Sequence, residues 1–421
     1  MKVSALACLF LSTILCARSH SNPVTETLVI TNVSVINTRD GSIAPRMTVV
    51  IKHGQIQAVA KFGIVASSPK TRVINGSGKY LIPGLWDMHV HTSGNAAAAW
   101  DKRTLDSLYI ANGVTGIREI TEERSLSEPG LPGKEETSAD QELIGPHRIL
   151  AKSFLGENKS DSKMLAVSVP AARDGSFGET KSIEQLSAVM LACSSREVEL
   201  RQRGLRAWAN HDGAAYAALA AETRATYDPD KAWNLFVDFA NRGIRMVPAL
   251  VWSQNSSNLG SPQLKDDPAL QYVSTAIRQS WEAENLRGSS PGDLQEAKEI
   301  AARDIQLVGA MRNAGVQFMA GTDSPAAYVI PGFSLHQELQ WLVKSGFTPA
   351  QALQAATIDP AIFSVQLDKY GVVEKGHVAD LVLLDANPLE NISNTKKIAA
   401  VLFEGKYYSR EDLDKLLDST K

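Results

Sequence analysis

Cysteine is nearly absent from this chain: there are three in 421 residues, and two of them, Cys8 and Cys16, fall within the first sixteen positions. If that opening segment is removed, Cys193 stands alone and no intrachain disulfide can form. A chain of this length buries enough core to need none. Cys193 lies in a stretch of helical periodicity and reads as a small buried apolar residue rather than a nucleophile. An excess of positive charge is lacking as well. With 43 Lys and Arg against 46 Asp and Glu, the formal net charge of -3 supplies no field for holding a polyanion, so nucleic acid is not an expected partner.

Long apolar runs are also missing. The run at the start, over 3–16, is fourteen residues and too short to span a bilayer as a mature helix. No integral membrane span is therefore expected. Met1 and Lys2 precede the run and small and polar residues follow it to Ser21, which is the layout of a secretory signal peptide. Cleavage is expected between Ala17 and Ser21, giving an exported protein, periplasmic or secreted. Leu15 stands where a bacterial lipoprotein box wants a small residue before Cys16, which argues against a lipid anchor.

What the chain does have is an apolar run ending on two histidines one residue apart, Leu81-Ile82-Pro83-Gly84-Leu85-Trp86-Asp87-Met88-His89-Val90-His91. In a strand that spacing aims both imidazoles at one face, which makes half of a divalent-metal site. A second strand, over 317–323, ends on a carboxylate in Gly321-Thr322-Asp323, followed by Ser324-Pro325.

Between about 81 and 364 the pattern alternates short apolar strands with amphipathic helices, the sign of a parallel βα architecture. Strands are expected at 84–91, 114–120, 148–152, 164–169, 245–252 and 317–323. Helices are expected at 183–202, 228–242, 294–314, 334–345 and 348–356, the last opened by Thr348-Pro349 as cap and first-turn proline. The polar stretch 254–293 reads as a mobile loop over the mouth. Short strands at 28–36, 48–51, 55–59 and 71–74, punctuated by His53-Gly54 and Asn75-Gly76, match others near 379–384 and 398–403. They predict a small β-sandwich domain built from both ends of the chain.

These stretches together resemble the amidohydrolase superfamily, most closely its imidazolonepropionase-like branch, which includes exported dipeptidase-like hydrolases of carbon-nitrogen bonds. The resemblance rests on the PGLWDMHVH segment, on Ala111-Asn112-Gly113-Val114-Thr115 with Arg118, on Gly321-Thr322-Asp323, and on the return segment Gly376 to Leu389. It implies an α/β fold with a TIM-like barrel over 82–364, flanked by small-domain segments over 22–81 and 365–421 behind the signal over 1–21. It further implies metal ligands at His89, His91 and Asp323, with Asp323 also taking the proton of an attacking water.

The resemblance also exposes gaps. It implies histidines on the fifth and sixth strands, where this chain carries Ser168 and Gln185, both poor metal ligands. It implies a lysine ending the fourth strand, yet only the eleven residues 153–163 separate two predicted strands. A βα unit takes roughly thirty residues, so about one unit is missing, by deletion or by an error in the gene's reading. Lys152, Lys159 and Lys163 read as solvated surface residues.

Of eight histidines, His20 lies in the signal region, His53 in a turn, His147 at the start of a strand, His211 on a polar surface and His377 before the return strand. His336, opening the helix after the last strand, is a candidate for substrate contact or support of the site, with helix-start packing as the alternative. Asp87 is expected to hydrogen-bond locally, Glu119 to face the mouth, and Trp252 and Tyr328 to line the pocket or pack in core and loops.

Three ligands and water still make a mononuclear site, with one zinc as the expected metal. Two readings stay open. One is a hydrolase of amide or related carbon-nitrogen bonds in a small molecule, dipeptide-like substrates included. The other is a catalytically impaired relative that uses the inherited pocket to bind a ligand or partner. Neither the substrate nor the oligomeric state is legible.

Overall fold

The computed structural model describes residues 27–61, 63, 71–93, 97–120, 145–151, 182–287 and 291–421. The expected signal peptide, the 164–169 strand with Ser168, and Lys152, Lys159 and Lys163 lie outside the described residues.

Both ends of the chain contribute to one mixed sheet of eight strands. From the N-terminal side come β1 (Thr27–Ile36), β2 (Ile43–Lys52), β3 (Gln55–Lys61), β4 (Thr71–Asn75) and β5 (Tyr80–Pro83). Numbering the strands in chain order, β12 (Leu381–Leu384), β13 (Ile398–Phe403) and β14 (Lys406–Ser409) complete it. The order is β14-β13-β12-β5-β1-β2-β3, with β4 branching off by pairing with β1. The strands expected as a small β-sandwich from both ends of the chain are joined by hydrogen bonds into this one sheet, since β1 pairs with β2, β4 and β5.

The period-two alternation of these strands feeds two cores. Leu381 and Leu383 of β12 pack with Ile30, Val49 and Ile56 inside the sheet's own cluster, whereas Val382 and Leu384 join the larger core that the helices cover. That two-sided burial explains the unbroken apolar run of β12 and fastens the sheet to the rest of the fold.

The second unit carries six parallel strands: β6 (Leu85–Val90), β7 (Val114–Ile120), β8 (His147–Ala151), β9 (Ser182–Glu184), β10 (Arg245–Val247) and β11 (Gln317–Phe318). They pair as β6-β7-β8 and as β11-β10-β9. The residues just after β11 join the two sets: Met88 donates its backbone N–H to Ala320 O at 2.9 Å, and Asp323 donates to His89 O at 2.8 Å. The result is a mixed α/β fold in which, among the described residues, the parallel strands form an arc running from β8 to β9.

Gly321 makes that junction possible. A Cβ there would stand 2.8 Å from the backbone nitrogen of His89 and 2.5 Å from a Val247 methyl. Gly116 on β7 serves similarly, since the Trp86 ring lies where its Cβ would be.

Several expected helices form nearly as read, at Pro229–Asn241, Pro291–Asn313, Phe333–Lys344 and Pro349–Ala355. Thr348 caps the last through a reciprocal capping box with Gln351. Three expectations are corrected. The helix over 183–202 begins as β9 and then splits into Ser187–Ala192 and Glu197–Ala209, because Ile183 and Glu184 pair in parallel with β10. The strand over 245–252 stops at Val247; Ala249, at φ 47, turns the chain into the helix Leu250–Ser257, which leaves Trp252 exposed on its surface.

The third concerns 254–293, expected as a mobile loop. The chain there is largely helical, with helices at Pro262–Lys265 and Thr275–Arg287 among the elements present. Trp281 anchors it, with its ring centroid 5.4 Å from Tyr328 and 6.5 Å from Trp100 in a buried aromatic cluster. Tyr328 is accordingly loop packing. Cys193 is fully buried, as expected.

Candidate metal centre

The C-terminal ends of β6 and of the segment after β11 lie side by side, which brings His89, His91 and Asp323 together. His89 is the last but one residue of β6 and is buried. His91 follows the strand and is tied down by its N–H donating to Ser324 O at 2.8 Å. Asp323 adopts a left-handed backbone, φ 65, which departs from extended geometry at the strand's end.

The distances within the cluster are short. His89 Nε2 lies 3.3 Å from His91 Nε2 and 3.3 Å from Asp323 Oδ1, and His91 Nε2 lies 3.0 Å from the same oxygen. Ligand atoms about 2.0–2.1 Å from a tetrahedral ion stand about 3.3 Å from one another. The three atoms therefore span one face of such a tetrahedron, and the donor set of two imidazoles and one carboxylate suits a borderline divalent ion. Among the described residues, this is the group whose ligand atoms converge in that manner.

Two residues behind the cluster hold it in place. Glu184, at the end of β9, brings Oε2 to 2.9 Å from His89 Nδ1. Its Oε1 accepts from Arg118 Nη2 at 2.5 Å and from Ser182 Oγ at 2.7 Å. Arg118, buried on β7, also donates to Met88 O at 2.7 Å and to Ser182 Oγ at 3.0 Å, so one guanidinium connects three strands. Gln185 donates its side-chain amide to Asp323 Oδ2 at 2.8 Å.

The electrostatics follow from these contacts. Burial alone would push the His89 imidazole down, but hydrogen bonds and attraction from Asp323 and Glu184 lift its pKa to about 10. Burial would raise Glu184, yet Arg118 and His89 hold it at about 2. Asp323 is likewise kept well below the usual carboxylate range by the two histidines, against its burial.

The other candidates named from the sequence have supporting or remote roles. Asp87 is buried and accepts from Thr322 N at 3.0 Å and Thr322 Oγ1 at 2.6 Å, clamping β6 to the Asp323 segment. Burial raises its pKa to about 7. Glu119 accepts from the backbone nitrogens of Thr92 and Ser93 at 3.1 and 3.0 Å, which fixes the loop leaving His91.

Of the two readings of His336, the structure takes packing: its ring sits between Thr395 Oγ1 at 3.0 Å and the Asn112 carbonyl at 3.1 Å. Burial, with the nearby Lys396 charge, lowers its pKa to about 3. His147, paired with Asp380 at 2.8 Å, joins the parallel strands to the mixed sheet. Sequence reasoning misses Glu184 as a functional residue. The signal for it is its place beside Gln185 in the Ser182-Ile183-Glu184-Gln185 motif.

The fold and this cluster define an α/β protein whose parallel strands present two histidines and an aspartate at their C-terminal ends. Comparison with known proteins agrees with the motifs. Residues 271–407 match the model of the amidohydrolase family. Ochratoxinase from Aspergillus niger is 26% identical over 371 residues, covering 76% of this chain and 73% of its own.

Among solved structures, a bottromycin amidohydrolase superposes with a TM-score of 0.57 at 18% identity, covering 95% of this chain and 91% of its own. A Xaa-Pro dipeptidase with bound methionine gives 0.54 at 18% identity, covering 91% and 100%. The chain is thus similar to amidohydrolases over residues 271–407 and, over most of its length, to ochratoxinase.

Proposed function

We propose that this protein is a metal-dependent hydrolase that cleaves an amide or related carbon-nitrogen bond of a small molecule, using one divalent ion, zinc by preference. The observation that carries the reading is the convergence of His89 Nε2, His91 Nε2 and Asp323 Oδ1 at separations of 3.0 to 3.3 Å. The likeness to ochratoxinase and the family match support the reaction class.

An ion bound there would supply Lewis acidity toward the carbonyl and acidify the attacking water. His89 and His91 would hold it. Asp323 would bind through Oδ1 and take the water's proton at Oδ2, the oxygen that Gln185 holds by its amide. The layout of the opening segment favours action outside the cytoplasm, in a periplasm or after secretion.

One observation favours a second reading. Gln185 satisfies Asp323 Oδ2, while Glu184 and Asp323 can satisfy a protonated His89, so the cluster can exist as an ion-paired remnant in a barrel that only binds a ligand. Elemental mass spectrometry on the full chain purified with zinc and without chelators separates the two. About one zinc per chain, lost in His89→Ala, supports the hydrolase; a cooperatively folded chain without zinc supports the binding scaffold.

A further inference from the structure

We propose that Glu184 and Gln185 are a pair of positioning residues, each gripping a different ligand of the candidate metal centre, so that the end of β9 orients ligands instead of supplying one. This rests on the metal-binding reading above and goes beyond it by assigning two residues of this chain to the preorganisation of the site.

The argument begins with backbone geometry. Adjacent residues of a regular strand point to opposite faces, so 184 and 185 would not both reach one cluster from extended backbone. Gln185 breaks the alternation with a left-handed φ of 60, while its N–H still donates to Val247 O at 2.9 Å, so the turn is anchored to β10. That conformation has a steric cost for a glutamine, and such strain collects where surrounding structure imposes it at functional sites.

The consequence is a two-handed grip. Glu184 reaches His89 Nδ1 at 2.9 Å, and Gln185 reaches Asp323 Oδ2 at 2.8 Å. The Glu184 contact fixes which His89 nitrogen keeps its proton and turns Nε2 toward His91 and Asp323. Arg118 and Ser182 occupy the other Glu184 oxygen, which limits rotation of the carboxylate. The Gln185 contact leaves Asp323 Oδ1 as the oxygen facing both imidazoles. A cluster with only three ligands gains most from such restraint, because each ligand's lost freedom is a larger share of the binding free energy.

Two measurements test this on the full chain. Zinc affinity, read by competition with a chromophoric chelator, is expected to fall about 10- to 100-fold in Glu184→Gln and about tenfold in Gln185→Ala. The visible spectrum of the cobalt-substituted protein is expected to change in both, which a merely structural role would not produce. Gln185→Ala removes only a half-buried amide and keeps the test open if Glu184→Gln misfolds.

The second measurement needs no metal. The Nδ1 resonance of His89 in 15N-histidine-labelled protein, assigned by its loss in His89→Gln, is expected to shift in Glu184→Gln. Zinc affinities within twofold of the parent in both variants, with unchanged cobalt spectra, overturn the proposal. If the parent retains no metal, the functional reading fails while the Nδ1 resonance still decides the grip: a shift sustains it and an unmoved resonance overturns it.

Discussion

Gln185 donates its amide to Asp323 Oδ2 at 2.8 Å, so the residue standing where the resemblance implies a histidine contacts a candidate ligand. Replacing it by histidine tests what the position has lost. Gln185→His is expected to add a nitrogen donor and tighten zinc at least about tenfold, read by chelator competition. Tighter zinc without hydrolysis of any amide or dipeptide tested, in the parent or the variant, would favour the binding scaffold over the enzyme.

Arg118 is buried and bonds to both Ser182 and Glu184 across the arc of strands. Arg118→Met leaves the Glu184 carboxylate buried without its main counter-charge. Stability measured by urea unfolding is expected to drop by about 3–5 kcal/mol. An unchanged midpoint would mean that the ion pair contributes nothing net.

At Gly321, a Cβ would meet Val247 and the His89 backbone. Gly321→Ala is expected to push β6 away from the Asp323 segment and cost about 1–3 kcal/mol of stability. Zinc binding should weaken in the same variant, because the shift separates ligands carried by the two segments. Equilibrium unfolding and metal titration of one sample check both effects.

His336 is buried as a neutral ring with its pKa lowered to about 3 from 6.5. Between those values the unfolded chain binds a proton that the folded chain does not, so this residue's contribution is intact above pH 6.5 and is lost as pH falls toward 3. The expected slope is about 1.4 kcal/mol per pH unit inside that window. Comparing urea midpoints at pH 7 and pH 5 checks it; in His336→Gln the difference should shrink.

The candidate ligand set is legible in the sequence because it is local. A His-x-His at the end of an apolar run and a Gly-Thr-Asp at the end of another each announce a strand end, and the strand period decides where the side chains point. Glu184 is not legible as a support for His89, since the contact spans 95 positions. The helical reading of 183–202 fails at its first residues for a related reason. Isolated apolar residues such as Ile183 satisfy either period, and only pairing with β10 selects strand.

His336, at the start of the helix after the Asp323 segment, could by sequence either reach the mouth or pack there, and Thr395 and Asn112, far off in sequence, capture its ring and decide for packing. Local pattern is enough to suggest the alternation of strands and helices, a small β domain shared by the chain's two ends, and His89, His91 and Asp323 as candidate ligands. These follow from short-range periodicity and from side-chain chemistry at strand ends. It takes the assembled fold to bring the three ligand atoms within 3.0 to 3.3 Å of one another and to place Glu184, Arg118 and Gln185 where they hold them. Distances between segments depend on how strands register and approach, and at Gly321 on the absence of a single carbon, and no local pattern encodes those.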